Sequence, residues 1–204
     1  TTSNIRSGTL GASTASTSAK TDTIADFVAG TDNIALTAQL TANAQVVSFT
    51  DTGDAASVSS GLALLSGVAG EYFFNTGDSQ LVVDLDGNGL IQATDLIINM
   101  TGETGFASSD MDVTITGGTA ADTITTGGGN DVIVGGDDAD ILTGGAGNDY
   151  INASVGNDVD ISHGGTGNDT YEIVDAGEAD IFVEAASAGT DTLYFGSSLS
   201  TAGY

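Results

Sequence analysis

The sequence predicts an all-β protein whose second half winds into a parallel β-roll. Two observations carry this. From Gly117 onward the chain repeats every nine residues, glycine-rich turns alternating with single apolar side chains. Ahead of that array, short runs of alternating apolar and polar residues are punctuated by Gly and Asp, the pattern of half-buried strands and their turns.

In chain order, residues 20–37 (KTDTIADFVAGTDNIALT) read as two short strands about a Gly-Thr-Asp turn. Residues 54–68 (DAASVSSGLALLSGV) carry a weak helical pattern, and 71–102 read as strand, turn, strand, Asp-rich loop and strand. Tyr72, Phe73 and Phe74 lie in the first of these strands, where one alternate face is expected to pack inward. The Asp-rich loop places Asp84, Asp86 and Asn88 at positions one, three and five, Gly89 at six and Asp95 at twelve. Oxygen donors at that spacing suit a hard cation, and the glycine lets the loop bend sharply. The loop resembles that of an EF-hand or a dockerin, with Asp95 where an EF-hand has Glu. The competing reading is a hairpin turn whose Asp and Asn residues simply favour turns.

The array reads GGTAADTIT (117–125), TGGGNDVIV (126–134), GGDDADILT (135–143), GGAGNDYIN (144–152), ASVGNDVDI (153–161) and, after Ser162 and His163 as an insertion, GGTGNDTYE (164–172). Position six is Asp in every unit: Asp122, Asp131, Asp140, Asp149, Asp158 and Asp169. Position eight is apolar in five: Ile124, Ile133, Leu142, Ile151 and Tyr171, with Asp160 breaking the rule. His163, the one histidine, has no Ser-His-Asp arrangement near it and reads as a solvent-facing loop residue. Asp137 and Asp138 read as turn residues rather than as a general acid and base.

Two nonapeptides make one coil, so units n and n+2 stack about 4.8 Å apart. Carboxylates at that spacing repel by roughly 0.9 kcal/mol in bulk water, and by about 3.5 kcal/mol at an effective dielectric near 20. One apolar residue per unit buries too little to offset a ladder of such repulsions. A divalent cation between successive turns reverses the sign. The array is therefore expected to be unfolded without metal and folded with it.

This pattern resembles the RTX nonapeptide GGxGxDxUx, a calcium-binding parallel β-roll. The resemblance implies ions between turns, held by carbonyls of positions one, three and five of one unit and, two units on, by carbonyls of positions two and four and the position-six carboxylate. Carried onto this chain, one ion lies between Gly117, Thr119, Ala121 and Gly136, Asp138, Asp140. A second uses Thr126, Gly128, Asn130 with Gly145, Gly147, Asp149. A third uses Gly135, Asp137, Ala139 with Ser154, Gly156, Asp158, and a fourth Gly144, Ala146, Asn148 with Gly165, Gly167, Asp169. The position-six residues Asp122 and Asp131 open the two ladders. Residues 170–195 resemble the closing strands of such arrays. The order DTIADF, YFF, LVVDLDGNG in residues 20–106 resembles the calcium-bound C-terminal β-sandwich of serralysin-type secreted proteases. There the sandwich follows the repeats, whereas here it precedes an array.

Composition narrows the function. Twenty-eight acidic side chains face two basic ones, Arg6 and Lys20, for a formal charge of −26 over 204 residues. All but five of the acids are Asp, the better turn-former, which favours cation-collecting turns over a generic acidic or halophilic surface. No basic patch exists to hold nucleic acid, and an anionic membrane repels the chain. No stretch approaches the roughly 18 apolar residues of a membrane span. Without Cys, disulfides and thiolate chemistry are excluded, and one His excludes multi-His metal sites. Neither HExxH nor GxSxG occurs, so the chain as it stands is expected not to be an enzyme.

The expectation is a calcium-bound β-roll at 110–172 joined to a β-sandwich-like domain at 20–106, with closing strands at 173–204. The chain opens at Thr1 without a signal-peptide pattern and stops at Tyr204 in mid-pattern, so it reads as part of a longer protein. The resemblance implies export by type I secretion and folding in extracellular calcium. The Thr/Ala/Ser/Gly-rich stretch 7–18 (SGTLGASTASTS) resembles bacterial S-layer RTX proteins. Two parents follow: a surface protein, S-layer subunit or large adhesin, and a secreted protease or lipase whose catalytic domain lies outside this chain. Calcium ions are the expected partners, with self-association or a surface polysaccharide beside them.

Overall fold

The computed structural model describes residues 3–9, 20–40, 43, 45–91, 95–153, 156, 158–174, 179–185 and 188–196, with side chains from Thr23 onward. Its strands are β1 (Ser3–Thr9), β2 (Lys20–Ile24), β3 (Ile34–Gln39), β4 (Val46–Ser48) and β5 (Asp51–Ala55), then the single helical turn α1 (Val58–Gly61). After it come β6 (Tyr72–Asn75), β7 (Gln80–Val83) and β8 (Leu96–Met100). A 3-10 turn at Ser108–Asp110 leads into β9 (Met111–Thr116), β10 (Thr123–Gly128), β11 (Val132–Val134), β12 (Ile141–Ala146) and β13 (Tyr150–Asn152). The last four are β14 (Ile161–Thr166), β15 (Thr170–Ile173), β16 (Ile181–Val183) and β17 (Thr192–Phe195).

The strands form three sheets. Seven run parallel in the order β1-β3-β9-β11-β13-β15-β17, and five more run parallel as β16-β14-β12-β10-β4. These are the two walls of the expected roll. The third sheet, β2-β8-β7-β6-β5, is mixed, with antiparallel hairpins joining β6, β7 and β8. β3 pairs with β9 along its whole length and β4 with β10, so the hydrogen-bonded walls run across residues 106–110 into the first half. The roll also runs on past residue 172, β16 stacking on β14 and β17 on β15.

Alternation explains why these short strands hold. In β9 and β10 every second side chain is buried. Across one wall Ile115, Ile133, Ile151 and Tyr171 stand in register, and across the other Val47, Ile124 and Leu142. They share one core with Tyr72, Phe74, Leu81, Val83, Leu96, Ile98 and Met100 of the mixed sheet. Of the YFF run, Tyr72 and Phe74 face that core. Phe73 faces the opposite way, into a smaller cluster with Val82 and Ala55 that Val58 of α1 helps to cover. Gly61 of α1 lies against the Phe73 ring, where a Cβ would stand 2.1 Å from it.

The structure corrects the phase of the fifth repeat. Ser162 and His163 are not an insertion: they pair in register with Leu142 and Thr143 inside β14. The two extra residues fall upstream, between Asn152 and Asp160, since the coils stay in register on either side of that stretch. His163 is accordingly a half-buried strand residue rather than a loop residue. Ser162 takes the apolar position, fully buried, with its hydroxyl lacking a hydrogen-bond partner.

Candidate metal centres

At each end of a wall strand the chain turns, and the amide N–H of the position-six residue needs an acceptor. The next coil's aspartate supplies it. On one side the Gln45 amide donates to Asp122 Oδ1 (2.8 Å), Asp122 to Asp140 (2.7 Å), Asp140 to Asp160 (2.7 Å) and Asp160 to Asp180 (3.2 Å). On the other, Val113 donates to Asp131 (2.7 Å), Asp131 to Asp149 (2.9 Å), Asp149 to Asp169 (2.9 Å) and Asp169 to Asp191 (3.0 Å). An outer ladder flanks the second: Asn130, Asn148, Asn168 and Thr190 amides donate to the side chains of Asp112, Asn130, Asn148 and Asn168.

The second carboxylate oxygens are the decisive feature. Oδ2 of Asp131, Asp140, Asp149 and Asp169 is buried and has no hydrogen-bond partner. A buried anionic oxygen without a partner is costly, so it calls for a cation or a proton. Burial pushes Asp131 and Asp140 up to about 7 and Asp149 up to about 6, with neighbouring ladder carboxylates adding to the shift. The turns are shaped around these oxygens. A Cβ on Gly135 would lie 2.5 Å from Asp140 Oδ2, and one on Gly144 2.1 Å from Asp149 Oδ2. Positions two and four stack backbone on backbone: with φ near 118° and 129°, Gly145 and Gly147 sit directly over the carbonyls of Gly127 and Gly129. Hard oxygen donors lining a close-stacked turn fit calcium.

The loop between β7 and β8 gathers a second set. One carboxylate oxygen each from Asp84, Asp86 and Asp95 lies within 4.8 Å of the others, and Asp84 and Asp95 are fully buried. Asp84 accepts from the amides of Gly87 and Gly89 (both 2.8 Å), Asp95 from Leu85 (3.0 Å), Asp86 from Asn88 (3.2 Å) and Asn88 from Leu90 (2.8 Å). The turn geometry of Asp and Asn is thus realised together with the convergence of carboxylates. Burial raises the Asp84 pKa above the usual carboxylate value. Glu71, by contrast, spends its buried carboxylate on the Ser66 hydroxyl and the Ser66, Gly67 and Val68 amides, and is satisfied without a metal.

Among known families, the Peptidase M10 serralysin C terminal matches residues 9–113, just over half of the chain. The chain belongs to the serralysin C-terminal family. The RTX calcium-binding nonapeptide repeat (4 copies) matches residues 114–142 and 125–160, which makes calcium the ion these repeats bind. No curated protein and no solved structure matches the chain.

The RTX register places most of the expected ligands in their turns. Gly136 stacks over Gly118, Gly145 over Gly127, Gly147 over Gly129, Gly165 over Gly145 and Gly167 over Gly147. Asp138 takes a positive φ of 68° at the position where neighbouring units have Gly. The third site shifts. Asp160, buried, is its position-six carboxylate, because the Asp140 amide selects it. Asp158 is exposed and moves to position four, and Gly156 moves to position two, its Cα facing the Gly136–Asp138 backbone. Ser154 lies outside the described residues. The sequence reading missed Asp180 and Asp191, which continue the ladders at spacings of 20 and 22 residues. Their signal was present in Asp180-Ile181-Phe182 and Asp191-Thr192-Leu193, which repeat the Asp-x-apolar signature outside the nine-residue phase.

These carboxylates give the metal-free chain a pH dependence of definite sign. Their folded pKa values lie above the ordinary value of 3.8, so folding without metal takes up protons. Stability from this source is complete below about pH 4 and is lost as pH rises through 6 to 7. Far-UV circular dichroism of the chelated chain is expected to show β structure growing on acidification from pH 8 to pH 4. Calcium affinity runs the other way, falling as pH drops below 7, because the ion displaces those protons. A chelated chain that loses β structure on acidification over that range would contradict the assignment.

Proposed function

We propose that the chain is a calcium-folded structural module of a secreted bacterial cell-surface protein, an S-layer subunit or large adhesin, exported by type I secretion. The observation that carries this is the pair of aspartate ladders with buried, unpartnered oxygens. They make the fold conditional on extracellular calcium, which leaves the chain unfolded for passage and folds it outside the cell. The four turn sites described above, with Asp160 in the third, and the Asp84–Asp86–Asp95 loop with Asn88 would hold the ions. In this reading the roll centred on 110–172 is continued at one end by β1, β3 and β4 and at the other by β16 and β17. The module contributes structure and not catalysis, with a second copy or a surface polysaccharide as its partner.

The serralysin C-terminal match supports a second reading, the C-terminal region of a secreted protease or lipase. Electron microscopy across a calcium series separates the two. The surface-lattice reading expects ordered sheets or filaments above the folding transition. Soluble monomers at every calcium concentration, folded only above that transition, would favour the protease or lipase parent.

A further inference from the structure

Asn88 is the only asparagine of the chain that is followed by glycine. A following glycine has no Cβ to hinder its own backbone nitrogen, which can then turn back on the asparagine side chain. The surroundings leave room for that attack: Asn88 is exposed, and nothing lies within 4 Å of the space that a Cβ on Gly89 would take. Both partners of the reaction are nevertheless tied down. The Gly89 amide donates to Asp84 Oδ2 (2.8 Å), and Asn88 Oδ1 accepts from the Leu90 amide (2.8 Å). Asp84 is fully buried and also holds the Gly87 amide (2.8 Å). The acceptor that occupies the Gly89 nitrogen therefore moves away only when the loop between β7 and β8 opens.

We propose that Asn88 is a site of spontaneous deamidation, locked while the Asp84–Asp95 loop is closed and released when it opens. In the open loop the Gly89 nitrogen bonds to Asn88 Cγ and gives up its proton, and the Cγ–Nδ2 bond breaks with ammonia leaving. The succinimide ring so formed takes up one water at either of its carbonyls, which leaves an aspartyl or an isoaspartyl residue at position 88. Closure opposes the first step twice. The hydrogen bond to Asp84 must break before the nitrogen can turn, and the nearby carboxylate disfavours the negative charge that the nitrogen gains on losing its proton. The aspartyl product sets a fourth carboxylate beside Asp84, Asp86 and Asp95, which favours a cation. The isoaspartyl product adds a methylene to the backbone and draws the Gly89 amide away from Asp84. A chain that waits with this loop open is thus altered permanently at the loop. The proposal rests on the calcium reading only for what closes the loop.

The test incubates the full chain at mildly alkaline pH in saturating calcium, in chelator and in urea. Peptide mass spectrometry follows conversion at Asn88, with Asn130 and Asn148, each followed by Asp, as references in the same digest. Circular dichroism reports the fold of each sample. In urea Asn88 is expected to convert well ahead of both references, and at least about 10-fold faster than in calcium, as for a group freed only by local opening. Asp84→Asn in saturating calcium, with its β signal intact, is expected to approach the urea rate. Conversion in calcium as fast as in urea overturns the lock, as does an Asp84→Asn chain that folds and converts no faster than the wild type. Should Asp84→Asn not fold, the calcium and urea rates decide alone. Conversion that stays slow in chelator means that the loop closes without calcium, which sinks the calcium reading of the loop and leaves the lock standing.

Discussion

Stripping calcium from the chain is expected to abolish most of its far-UV β signal, with calcium restoring it and magnesium failing to. The two ladders put six neighbouring aspartate pairs in contact, from Asp122–Asp140 to Asp169–Asp191. At about 3.5 kcal/mol per pair, their repulsion exceeds the about 5–15 kcal/mol by which a folded domain normally outlasts its unfolded state. Each roll unit sets only one core side chain against it, such as Ile133 or Leu142, and Ser162 contributes none. Proton uptake relieves part of the repulsion, which is why the collapse should be most complete above pH 7. Replacing Asp131 and Asp149 with Ala together should shift the calcium midpoint upward, since two successive turns of one ladder lose their carboxylate. A β spectrum that survives exhaustive chelation at pH 8 would end the folding-switch argument and make a halophilic surface the better account of the acidity.

The largest single-residue effect should come from Gly147→Ala. At φ 129° an added Cβ would lie 1.6 Å from the Gly129 carbonyl oxygen, and backbone on both sides leaves it nowhere to go. Gly102 is the matched control: its φ is 94°, yet nothing lies within 4 Å of the added Cβ. Gly102→Ala then carries only the left-handed backbone strain, about 1 kcal/mol. Gly147→Ala adds a collision between stacked turns and should cost at least about 4 kcal/mol, the range of the severest single substitutions. For a chain of this size that lowers the melting temperature at saturating calcium by roughly 10 °C. Equal losses in the two variants would mean that the turns are not held at carbonyl-stacking distance, and the proposed ion cages would lose their geometry.

Much of the roll was legible in the sequence because its determinants are local. The nine-residue phase of Asp122, Asp131, Asp140 and Asp149, with one apolar residue two positions on, dictates turn, strand and inward face within each unit. The hairpins of 71–102 and the convergence of Asp84, Asp86 and Asp95 were equally readable, since turn chemistry and strand alternation act over a few residues. The pairing of β3 with β9 and of β4 with β10 was not, because a parallel partner many residues away leaves no periodic mark on either strand.

Composition and spacing by themselves pointed to an all-β chain whose stacked aspartates suit a hard divalent cation, and the resemblance to RTX repeats named calcium. Only the tertiary structure decided which aspartates stand in the ladders. Asp158 and Asp160 lie two residues apart, and either could keep a local repeat going. The choice falls to Asp160 because the Asp140 amide of the coil below needs an acceptor at that height, and because Ile161–Thr166 must align with Ile141–Ala146. The same cross-coil hydrogen bonding lets Asp180 and Asp191 extend the ladders at spacings the nonapeptide does not contain. A solenoid stacks by matching amides to acceptors between coils, and surplus residues are discharged into the turns, where sequence period no longer measures distance.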